Sequence, residues 1–433
     1  MAYCLGCDIA MNGEGYGSCN DSGKCSGNGL GKGAGSGSGK NPGVPFGEGI
    51  RQTLAGKTVV LAITGSIAAV ETVKLARALR RKGAKVQAVM SEAATGIITP
   101  DAVTYACDTP TITKISGNIE HVKFCGIGGT GDVLLIAPAT ANTISKIACG
   151  IDDTPVTTFA TTAIGRGMPV VIAPAMHESM YNHPAVVENI RKLKSYGISF
   201  VDPFMAENKA KFASNDEIIL EVERAVGGKP LLNKKVIITG GACREALDDV
   251  RVLTTRSGGR MGRELALEAY RLGADVTYVH GGDSVALVRN VIVESAEDMR
   301  NAVLGAIKDG CDFYISSAAI SDYKPEKIAG KIPSNKDISI KLLPLPKILD
   351  EVASALKSTS SSKNAKIAAF KLGDDADEKA EKMVAAGIDL VCANGAENMG
   401  ADGGRYGLHT KDGVAQVSGT KEETAGEIWR RLL

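Results

Sequence analysis

A short apolar run that meets a glycine turn and then a helical segment constrains the fold of this chain more than any other feature. The run Thr58–Ile63 is rich in β-branched residues and leads into a turn at residues 64–66. Short continuous apolar runs are typical of strands buried in parallel sheets. A helical segment, 68–82, and a second strand-like run, Lys85–Met90, follow. The sequence therefore predicts a β-α-β unit with a right-handed crossover.

The alternation continues and then begins again in the second half of the chain. Strand-like and helical segments extend the first unit in turn: 133–137, 142–149, 170–173 and 185–196. The pattern breaks at the Gly-Gly-Lys-Pro sequence of residues 227–230 and restarts with a strand and glycine turn at 235–241. Such alternation predicts α/β folds, that is, doubly wound sheets with helices on both faces.

The break divides the chain into regions. Residues 1–50 are rich in Gly and Ser and cannot bury enough apolar surface to offset the entropy of ordering them. We therefore expect a flexible tail at 1–50, a first α/β domain at 51–228 and a second α/β domain at 229–433.

Composition narrows the classes of function. The formal net charge of +1 argues against a nucleic-acid partner, which would require a marked excess of Lys and Arg. No uninterrupted apolar run is long enough to span a bilayer, and the N-terminus lacks a signal-peptide pattern. Most of the cysteines are scattered through strand-like or helical stretches, as the free thiols of cytoplasmic enzymes are. We therefore expect a cytoplasmic enzyme of small molecules, with no nucleic-acid or membrane partner.

Four cysteines crowd into the tail, at Cys4, Cys7, Cys19 and Cys25. Four thiolates in a short span could bind zinc or an iron–sulfur cluster. The second pair is spaced more widely than in a usual zinc knuckle. The sequence is therefore compatible both with a metal site in this segment and with four thiols that bind no metal.

The turn after the first strand is a candidate phosphate site. Gly65, Ser66 and Ile67 lie in the turn between a predicted strand and a predicted helix. The N-terminus of a helix has unpaired N–H groups that can bind an anion. Such a turn can also be purely structural. It lacks the Gly-x-Gly-x-x-Gly fingerprint, which argues against a nicotinamide cofactor.

Other polar residues of the first half stand close to strand ends or glycine-rich stretches. The segment 138–143, Pro-Ala-Thr-Ala-Asn-Thr, places Asn142 at the carboxyl end of the sheet, either to bind a carboxylate or to cap the next helix. His121 precedes a glycine-rich stretch and could be structural or catalytic. In the segment 174–180, which also follows a strand, methionines such as Met176 could simply fill the core.

Together these segments resemble the flavin-dependent cysteine decarboxylases, and over about residues 56–225 the chain is similar to phosphopantothenoylcysteine decarboxylase domains. The resemblance implies a flavodoxin-like homotrimer with FMN near a subunit interface. It implies that the following residues contact FMN: Gly65, Ser66, Ile67, Ser91 and Thr140. It also implies that His121 is the catalytic base-like residue and that three residues handle the substrate carboxylate: Asn142, Met176 and His177.

The implied reaction removes CO₂ after transient oxidation of the substrate thiol to a thioaldehyde-like electron sink. The electrons then return to the product, so no net oxidation occurs. The chain departs from the family at two places. His177 stands where the family has Asn, and residues 207–211 contain no Cys where bacterial members have one that assists the final protonation. The resemblance leaves the acid of that step unassigned.

The second half carries its own motifs. Residues 256–262, Arg-Ser-Gly-Gly-Arg-Met-Gly, form a basic loop that suits an anion or simply faces solvent. Asp322 follows a strand-like run and could hold a ribose hydroxyl, a base amino group or a metal, or could cap a helix. Lys331 lies in a loop from which it could reach phosphate, although most loop lysines face water.

These motifs resemble, in order, those of phosphopantothenate–cysteine ligases over about residues 234–433, which implies a Rossmann-like domain. The implied reaction proceeds through an acyl nucleotide, with CTP as donor and Mg²⁺ to offset the triphosphate charge. The resemblance implies a nucleotide site formed by the following residues: Ser317, Ala318, Asp322, Lys331, Phe370 and Lys382. Lys331 would also act in amide formation, and Arg251 and Asn394 would bind substrate. The chain departs from the family at Thr255, where Asn is expected, and at Ala386, where a second Lys is expected.

The two resemblances together imply a fusion enzyme of coenzyme A biosynthesis, a homo-oligomer of decarboxylase trimers joined by ligase dimers. Its substrates would be phosphopantothenate, cysteine and CTP. Two other interpretations are a flavin prenyltransferase-like enzyme and a non-catalytic regulatory flavoprotein. The ligase-like half argues against the former, and the retained His121 and Asn142 argue against the latter.

Overall fold

The apolar runs of the first half form a parallel sheet. The computed structural model describes residues 51–206, 209–335 and 337–433. The elements of the first half follow one another along the chain, with a 3₁₀ helix at Ile67–Glu71 between the first two: β1 Thr58–Ile63, α1 Thr72–Arg81, β2 Lys85–Met90, α2 Glu92–Thr95, α3 Pro100–Cys107, α4 Glu120–Cys125, β3 Val133–Ala139, α5 Ala141–Cys149, α6 Pro155–Arg166, β4 Val170–Pro174, β5 Met176–His177, α7 Glu178–Tyr181, α8 Pro184–Ser195, β6 Ser199–Phe200, β7 Phe204–Ala206, β8 Lys209–Lys211 and α9 Asn215–Val226.

This sheet has the strand order β2-β1-β3-β4-β6, and every pair in it is parallel. The order corresponds to the 2-1-3-4-5 order of flavodoxin-like folds, whose ligands bind where the chain direction switches, between β1 and β3. Every residue of β3 is buried, because separate apolar clusters cover the two faces of the sheet. The expected doubly wound sheet is confirmed. The expected helix 68–82 instead begins as the 3₁₀ helix.

The second half contains a larger sheet. Its elements follow in this order: β9 Lys235–Gly240, β10 Arg244–Ala246, β11 Val252–Thr254, α10 Arg260–Arg271, β12 Asp275–His280, β13 Arg289–Ile292, α11 Ala296–Lys308, β14 Phe313–Ser316, β15 Tyr323–Pro325, β16 Leu342–Pro344, α12 Ile348–Ser358, β17 Lys366–Leu372, α13 Ala376–Ala385, β18 Leu390–Asn394, β19 Gly403–Thr410, β20 Gly413–Thr420 and α14 Lys421–Leu432.

The strand order here is β13-β12-β9-β14-β17-β18-β19-β20. The first six strands are parallel and follow the 3-2-1-4-5-6 order of Rossmann folds, with the switch point between β9 and β14. The hairpin β19–β20 adds two antiparallel strands at one edge. The expected Rossmann-like half is therefore confirmed, and the antiparallel edge is a feature that the sequence pattern did not reveal.

The C-terminal helix closes one face of this sheet. Trp429 on α14 is fully buried, its indole N–H donates to the carbonyl of Leu265 on α10 at 3.0 Å, and its ring meets Phe313 edge-on at 5.5 Å between centroids. Burial of the large apolar ring stabilises the fold, and the hydrogen bond to Leu265 avoids the cost of a buried N–H without an acceptor. Trp429 therefore fixes α14 against α10 and the sheet.

Four charged side chains connect the two halves, and we call them the seam cluster: Arg51, Glu223, Glu268 and Arg271. Arg51 donates to both carboxylate oxygens of Glu268, at 2.7 and 2.9 Å. Arg271 donates to Glu223 at 2.7 Å and also to Glu268. Only 2% of the Glu223 side chain and 13% of the Arg271 side chain are exposed, so the charges neutralise one another largely out of contact with water.

The tail of residues 1–50 lies outside the described residues. The prediction of flexibility there and the metal site suggested for Cys4, Cys7, Cys19 and Cys25 therefore stay predictions. Within the described part of the chain, no helix combines the length and the apolarity needed to cross a bilayer.

Candidate functional site

A hydrogen-bonded threonine brings two loops of the first half together at the switch point. The Thr64 hydroxyl donates to the carbonyl of Pro138 at 2.7 Å, and it accepts from the Thr140 N–H at 3.0 Å. The turn after β1 is thereby held beside the turn after β3. Because both strands are parallel, their carboxyl ends open on the same edge of the sheet, where α/β proteins bind ligands.

The structure explains the residue type at two positions of these loops, Gly65 and Thr140. A Cβ added to Gly65 would lie 2.5 Å from the Cβ of Ala93, so only glycine permits this turn to approach α2. The Thr140 hydroxyl accepts from the Thr143 N–H at 3.2 Å and caps α5. The cap that could have been assigned to Asn142 therefore belongs to Thr140, and Asn142 lies exposed in the first turn of the helix.

The two loops form one side of a cavity of about 580 Å³. Its walls are mostly apolar, with hydroxyl groups where the two turns meet. Six of the predicted site residues line it: Gly65, Ser66, Ile67, Thr140, Met176 and His177. Two larger apolar lining residues, Val70 and Phe212, were not predicted, because nothing in their local sequence marks them, and Met180, from the segment 174–180, lines the cavity as well.

Three predicted residues of the first half do not line this cavity. Ser91 is buried, and its hydroxyl accepts from the Ala94 N–H to cap α2. Asn142 points from an exposed position on α5. His121 lies on α4, where its ring meets Phe159 edge-on at 6.4 Å and its Nδ1 is buried without a hydrogen-bond partner among the described residues. One copy of the chain therefore does not bring His121 into contact with this cavity.

The second half repeats this arrangement at its own switch point. The Ser317 hydroxyl, just after β14, donates to the carbonyl of Thr239 on β9 at 2.5 Å, and the Ala319 N–H donates to the carbonyl of Gly241 at 2.9 Å. A Cβ on Gly262 would lie 2.8 Å from the Ser317 Oγ and 3.0 Å from the Cα of Gly240. Glycine at 262 therefore lets α10 begin directly against the ends of the strands.

A second cavity of about 580 Å³ opens at these strand ends. The basic loop 256–262 forms one side of it, and the carboxyl ends of β14, β17 and β18 form another. Five of the predicted residues line it: Ser317, Ala318, Asp322, Phe370 and Asn394. Asp322 forms an ion pair with Lys347, and no helix begins at Asp322, so it does not act as a helix cap.

The cavity carries more positive than negative side chains. Five cations line it, against the single carboxylate of Asp322: Arg256, Arg260, Lys347, Lys371 and Lys421. Arg260 is paired with Asp402. Burial, together with the nearby charge of Arg260, lowers the pKa of Lys421. The excess of cations suits an anionic ligand such as a polyphosphate.

Three predicted residues of the second half do not line this cavity. Arg251 donates to Asp248 at 2.9 Å and to the carbonyl of Ile332 at 3.2 Å, so it holds the loop that contains Lys331. Lys331 itself is exposed on that loop. Lys382 lies on α13 and is paired with Glu378 at 2.5 Å.

The same loop is anchored by Asp248. Its carboxylate accepts from the Ile332 N–H at 3.0 Å and from the N–H groups of Val250 and Arg251. These bonds, the one from Ile332 foremost, lower the pKa of Asp248 to about 2 although burial opposes them. Asp248 is therefore ionised at neutral pH and keeps Arg251 in place. The pairing explains why Arg251 is directed toward a loop and not toward the cavity.

Among the described residues, no group of three or more His, Cys, Asp or Glu side chains is arranged to hold a metal ion. In the second cavity only Asp322 offers a carboxylate, and Lys347 already neutralises it. The residues present do not make a metal site from protein ligands alone.

Comparison with known proteins shows the family. The Flavoprotein family matches residues 50–227, and the DNA/pantothenate metabolism flavoprotein C-terminal domain matches residues 231–433. The coenzyme A biosynthesis bifunctional protein CoaBC of Thermococcus kodakarensis is 44% identical, over 88% of this chain and 95% of that protein. The protein of the same name from Methanocaldococcus jannaschii is 35% identical, over 88% of this chain and 94% of its own length.

A crystal structure of the C-terminal domain of a coenzyme A biosynthesis bifunctional protein CoaBC is 27% identical, with a TM-score of 0.39, and covers 47% of this chain and 96% of that one. The extent and identity of the sequence matches place both halves in one family. The chain belongs to the family of bifunctional CoaBC proteins of coenzyme A biosynthesis, in which a flavoprotein decarboxylase is joined to a ligase.

Proposed function

We propose that the chain uses CTP to join 4′-phosphopantothenate to cysteine through an acyl cytidylate, and then uses FMN to decarboxylate phosphopantothenoylcysteine to phosphopantetheine. The observation that carries this proposal is the pair of cavities at the switch points of the two sheets. Each lies where its fold binds ligands. One is mostly apolar and the other is cationic, as a flavin and a nucleoside triphosphate respectively require.

The first cavity fits FMN. Its apolar walls suit the flavin ring, while Ser66, Thr140 and the backbone at the start of the 3₁₀ helix offer hydrogen bonds to a phosphate. We assign Gly65, Ser66, Ile67 and Thr140 to FMN. Bound flavin would supply the reversible redox chemistry of the substrate thiol. Ser91, which was expected to contact FMN, supports the site indirectly by capping α2 beside Gly65.

Protein side chains orient the substrate in this proposal. Met176 and His177, at the opening of the cavity, contact the substrate, and Asn142 donates its amide N–H to the substrate carboxylate. His121 accepts and returns the proton during decarboxylation. Since neither His121 nor Asn142 lines the cavity within one chain, a second copy must complete the site.

Exposed apolar side chains support that second copy. Ile119 and Ile127, on either side of α4 and His121, are 53% and 94% exposed. Ile67, on the rim of the cavity, is 77% exposed. Exposed apolar side chains of this size are covered when a protein interface forms over them. We propose that the 119–127 segment of one copy covers the cavity of another, in a trimer of decarboxylase domains.

The second cavity is proposed to bind CTP, and Mg²⁺ enters with it as the magnesium complex of the nucleotide. This fits the surplus of cations and the lack of a carboxylate cluster there. Ser317, Ala318, Phe370 and Asn394 contact the nucleotide and the acyl intermediate, and Asp322 contacts a ribose or base hydrogen. Thr255, which also lines the cavity, takes the place of the expected Asn.

Lys331 and Arg251 are proposed to serve the ligase from a second copy. Lys331 is exposed on a loop that Asp248 and Arg251 hold in place, and it does not line the cavity of its own chain. In a ligase dimer that loop would bring Lys331 to the facing cavity for amide formation. Lys382, which is paired with Glu378, is proposed to contribute only a distant positive charge.

One experiment tests the whole proposal. Purified protein receives phosphopantothenate, cysteine, CTP and Mg²⁺, and mass spectrometry follows phosphopantetheine while a coupled assay follows pyrophosphate. We expect both products and a flavin absorbance in the pure protein. Accumulation of phosphopantothenoylcysteine without phosphopantetheine would reject the decarboxylase half of the proposal, and a prenylated flavin formed from a prenyl phosphate would favour a prenyltransferase. Failure to form either product, with flavin bound, would favour a regulatory flavoprotein.

A further inference from the structure

The cations of the ligase cavity are not equally available to a ligand. Arg260 is neutralised by Asp402, and Lys347 is neutralised by Asp322. The Lys421 ammonium donates to the carbonyl of Ala401. Arg256 is exposed on the basic loop. Lys371 differs from all of these. It is only partly exposed, and its ammonium has no hydrogen bond and no ion pair among the described residues.

The backbone holds Lys371 in a fixed place. It lies near the carboxyl end of β17, where it pairs with Ala393 of β18, and its neighbour Phe370 pairs with Cys392. The preceding residues of β17 pair with β14 on the other side. A residue so placed in the interior of a sheet moves little. Its side chain therefore starts from a fixed point on the wall of the cavity that Phe370, Asn394 and Ser317 also line.

A partly buried ammonium without a counter-ion is unfavourable in the free protein. Removing a charge from water costs free energy that only a partner of opposite charge offsets. The charge of Lys371 acts weakly on Asp375, whose pKa is lowered chiefly by a hydrogen bond from Lys379 and only to a smaller extent by Lys371, but Asp375 already forms an ion pair with Lys379. The partner that would neutralise Lys371 is therefore a ligand of the cavity.

The other lysines proposed for the nucleotide site of this half lie outside the cavity. Lys382 is exposed on α13 and paired with Glu378, and the position one helical turn later is Ala386. Neither residue lines the cavity. Lys331 lies on a separate loop. Within one chain this leaves Lys371 as the ammonium that faces the cavity from a rigid element without a partner among the described residues.

We propose that Lys371 binds a phosphate oxygen of the nucleoside triphosphate and supplies the charge that Lys382 and position 386 do not. This inference rests on the proposed ligase function. In that reaction a carboxylate oxygen of phosphopantothenate bonds to the α-phosphorus, and the bond from that phosphorus to the oxygen bridging to the β-phosphorus breaks. Pyrophosphate leaves with the bonding electrons. Lys371 takes no proton in this step and acts by binding the triphosphate.

The test compares Lys371→Met, which keeps the length of the side chain and removes its charge, with Lys371→Arg, which keeps a charge. Lys357→Met is the control, because Lys357 is exposed on α12 and does not line the cavity. Pyrophosphate release is measured against CTP concentration at saturating phosphopantothenate and cysteine. Binding of Mg·CTP alone is measured by calorimetry. Decarboxylation of supplied phosphopantothenoylcysteine shows that each variant is folded.

Loss of one charge-assisted hydrogen bond weakens binding about tenfold or more. We expect Lys371→Met to raise both the KM and the Kd for CTP by that factor, with the KM for phosphopantothenate and the decarboxylation rate within about twofold of wild type. Lys371→Arg should recover most of the loss, and Lys357→Met should match wild type.

Two results would overturn the inference and leave the ligase proposal standing. One is an unchanged KM and Kd for CTP in Lys371→Met. The other is a change confined to the KM for phosphopantothenate, which would place Lys371 on the other substrate. Wild-type protein that neither binds CTP nor releases pyrophosphate would instead reject the ligase proposal and this inference together.

Discussion

The seam cluster predicts that a single arginine that lines neither cavity has a large effect on stability. Replacing Arg271 with Met removes the hydrogen bonds that Arg271 donates to Glu223 and Glu268. Glu268 keeps its two hydrogen bonds from Arg51, at 2.7 and 2.9 Å. Glu223 is left with the Thr53 hydroxyl and no cation, in a position where almost none of its side chain is exposed. The variant therefore leaves the buried carboxylate of Glu223 without a cation.

Breaking a buried ion pair by removing one partner costs about 3–5 kcal/mol, and because Glu268 stays paired we expect the lower end, about 3 kcal/mol. The described residues, 51–206, 209–335 and 337–433, belong to one compact unit. For roughly 380 residues, an unfolding entropy of about 2.1 cal/mol/K per residue converts this into a fall in Tm of about 4 °C. Differential scanning calorimetry measures it directly.

The matched control is Arg300→Met. Arg300 also pairs with a glutamate, Glu351, but both side chains are about one-third exposed, and ion pairs exposed to water contribute little. We expect no resolvable change in its Tm. Equal changes in Arg271→Met and Arg300→Met would refute the idea that burial of the seam cluster gives it its strength.

The pH dependence provides a second check on the same cluster. Burial alone would raise the pKa of Glu268, but the hydrogen bonds and charges of Arg51 and Arg271 outweigh it, and the pKa is lowered. A carboxyl group whose folded pKa is lowered stabilises the protein above its unfolded value of about 4.3, and this contribution is lost as pH falls through the folded value. The share of the difference in Tm between wild type and Arg271→Met that Glu268 carries should therefore shrink below about pH 4.

Three further predictions concern the sites. His121→Asn should abolish CO₂ release from phosphopantothenoylcysteine yet leave the flavin absorbance intact, and full activity would reject the role proposed for His121. Gly65→Ala places a methyl group 2.5 Å from the Cβ of Ala93 and should lower flavin occupancy of the purified protein, whereas occupancy equal to wild type would show that the turn can shift. Lys331→Gln should permit pyrophosphate release but stall formation of the amide, and a normal yield of phosphopantothenoylcysteine would contradict its proposed role.

Much of the fold could be predicted from the sequence, because buried parallel strands appear as uninterrupted apolar runs. Thr58–Ile63 and Lys85–Met90 occupy the predicted positions for this reason. The hairpin β19–β20 could not be recognised in the same way. The burial of β20 alternates between exposed and partly buried positions, so it has no continuous apolar run, and its register depends on pairing with β19.

Most of the predicted residues that line the cavities lie at the carboxyl end of a strand or just after it. Ser66, Thr140 and Ser317 follow strands and line their cavities, since a parallel sheet gathers its strand ends at one edge. Arg251 does not line the cavity, because it donates a hydrogen bond to the carbonyl of Ile332. The spacing of residues in the sequence does not reveal this partner. The pairing of Lys382 with Glu378 could have been anticipated, because the two are one helical turn apart.

Thr140 and Asn142 illustrate a different limit. Both residue types cap helices well, so composition cannot decide which one begins α5. The decision is made by the hydrogen bond that Thr140 accepts from Thr143, together with the bond that its own N–H donates to Thr64. The second of these joins residues from two separate loops, and no local pattern encodes it.

Trp429 is the only tryptophan of the chain, and it is buried against α10 in the second half. The flavin belongs to the first half. The molecule thus carries one natural chromophore for each of its two catalytic halves, and indole emission and flavin emission report on them separately in the same solution. If the two signals are lost together on heating, the two halves unfold in one cooperative transition. If the indole emission changes first, the ligase half unfolds while the flavoprotein half is still folded.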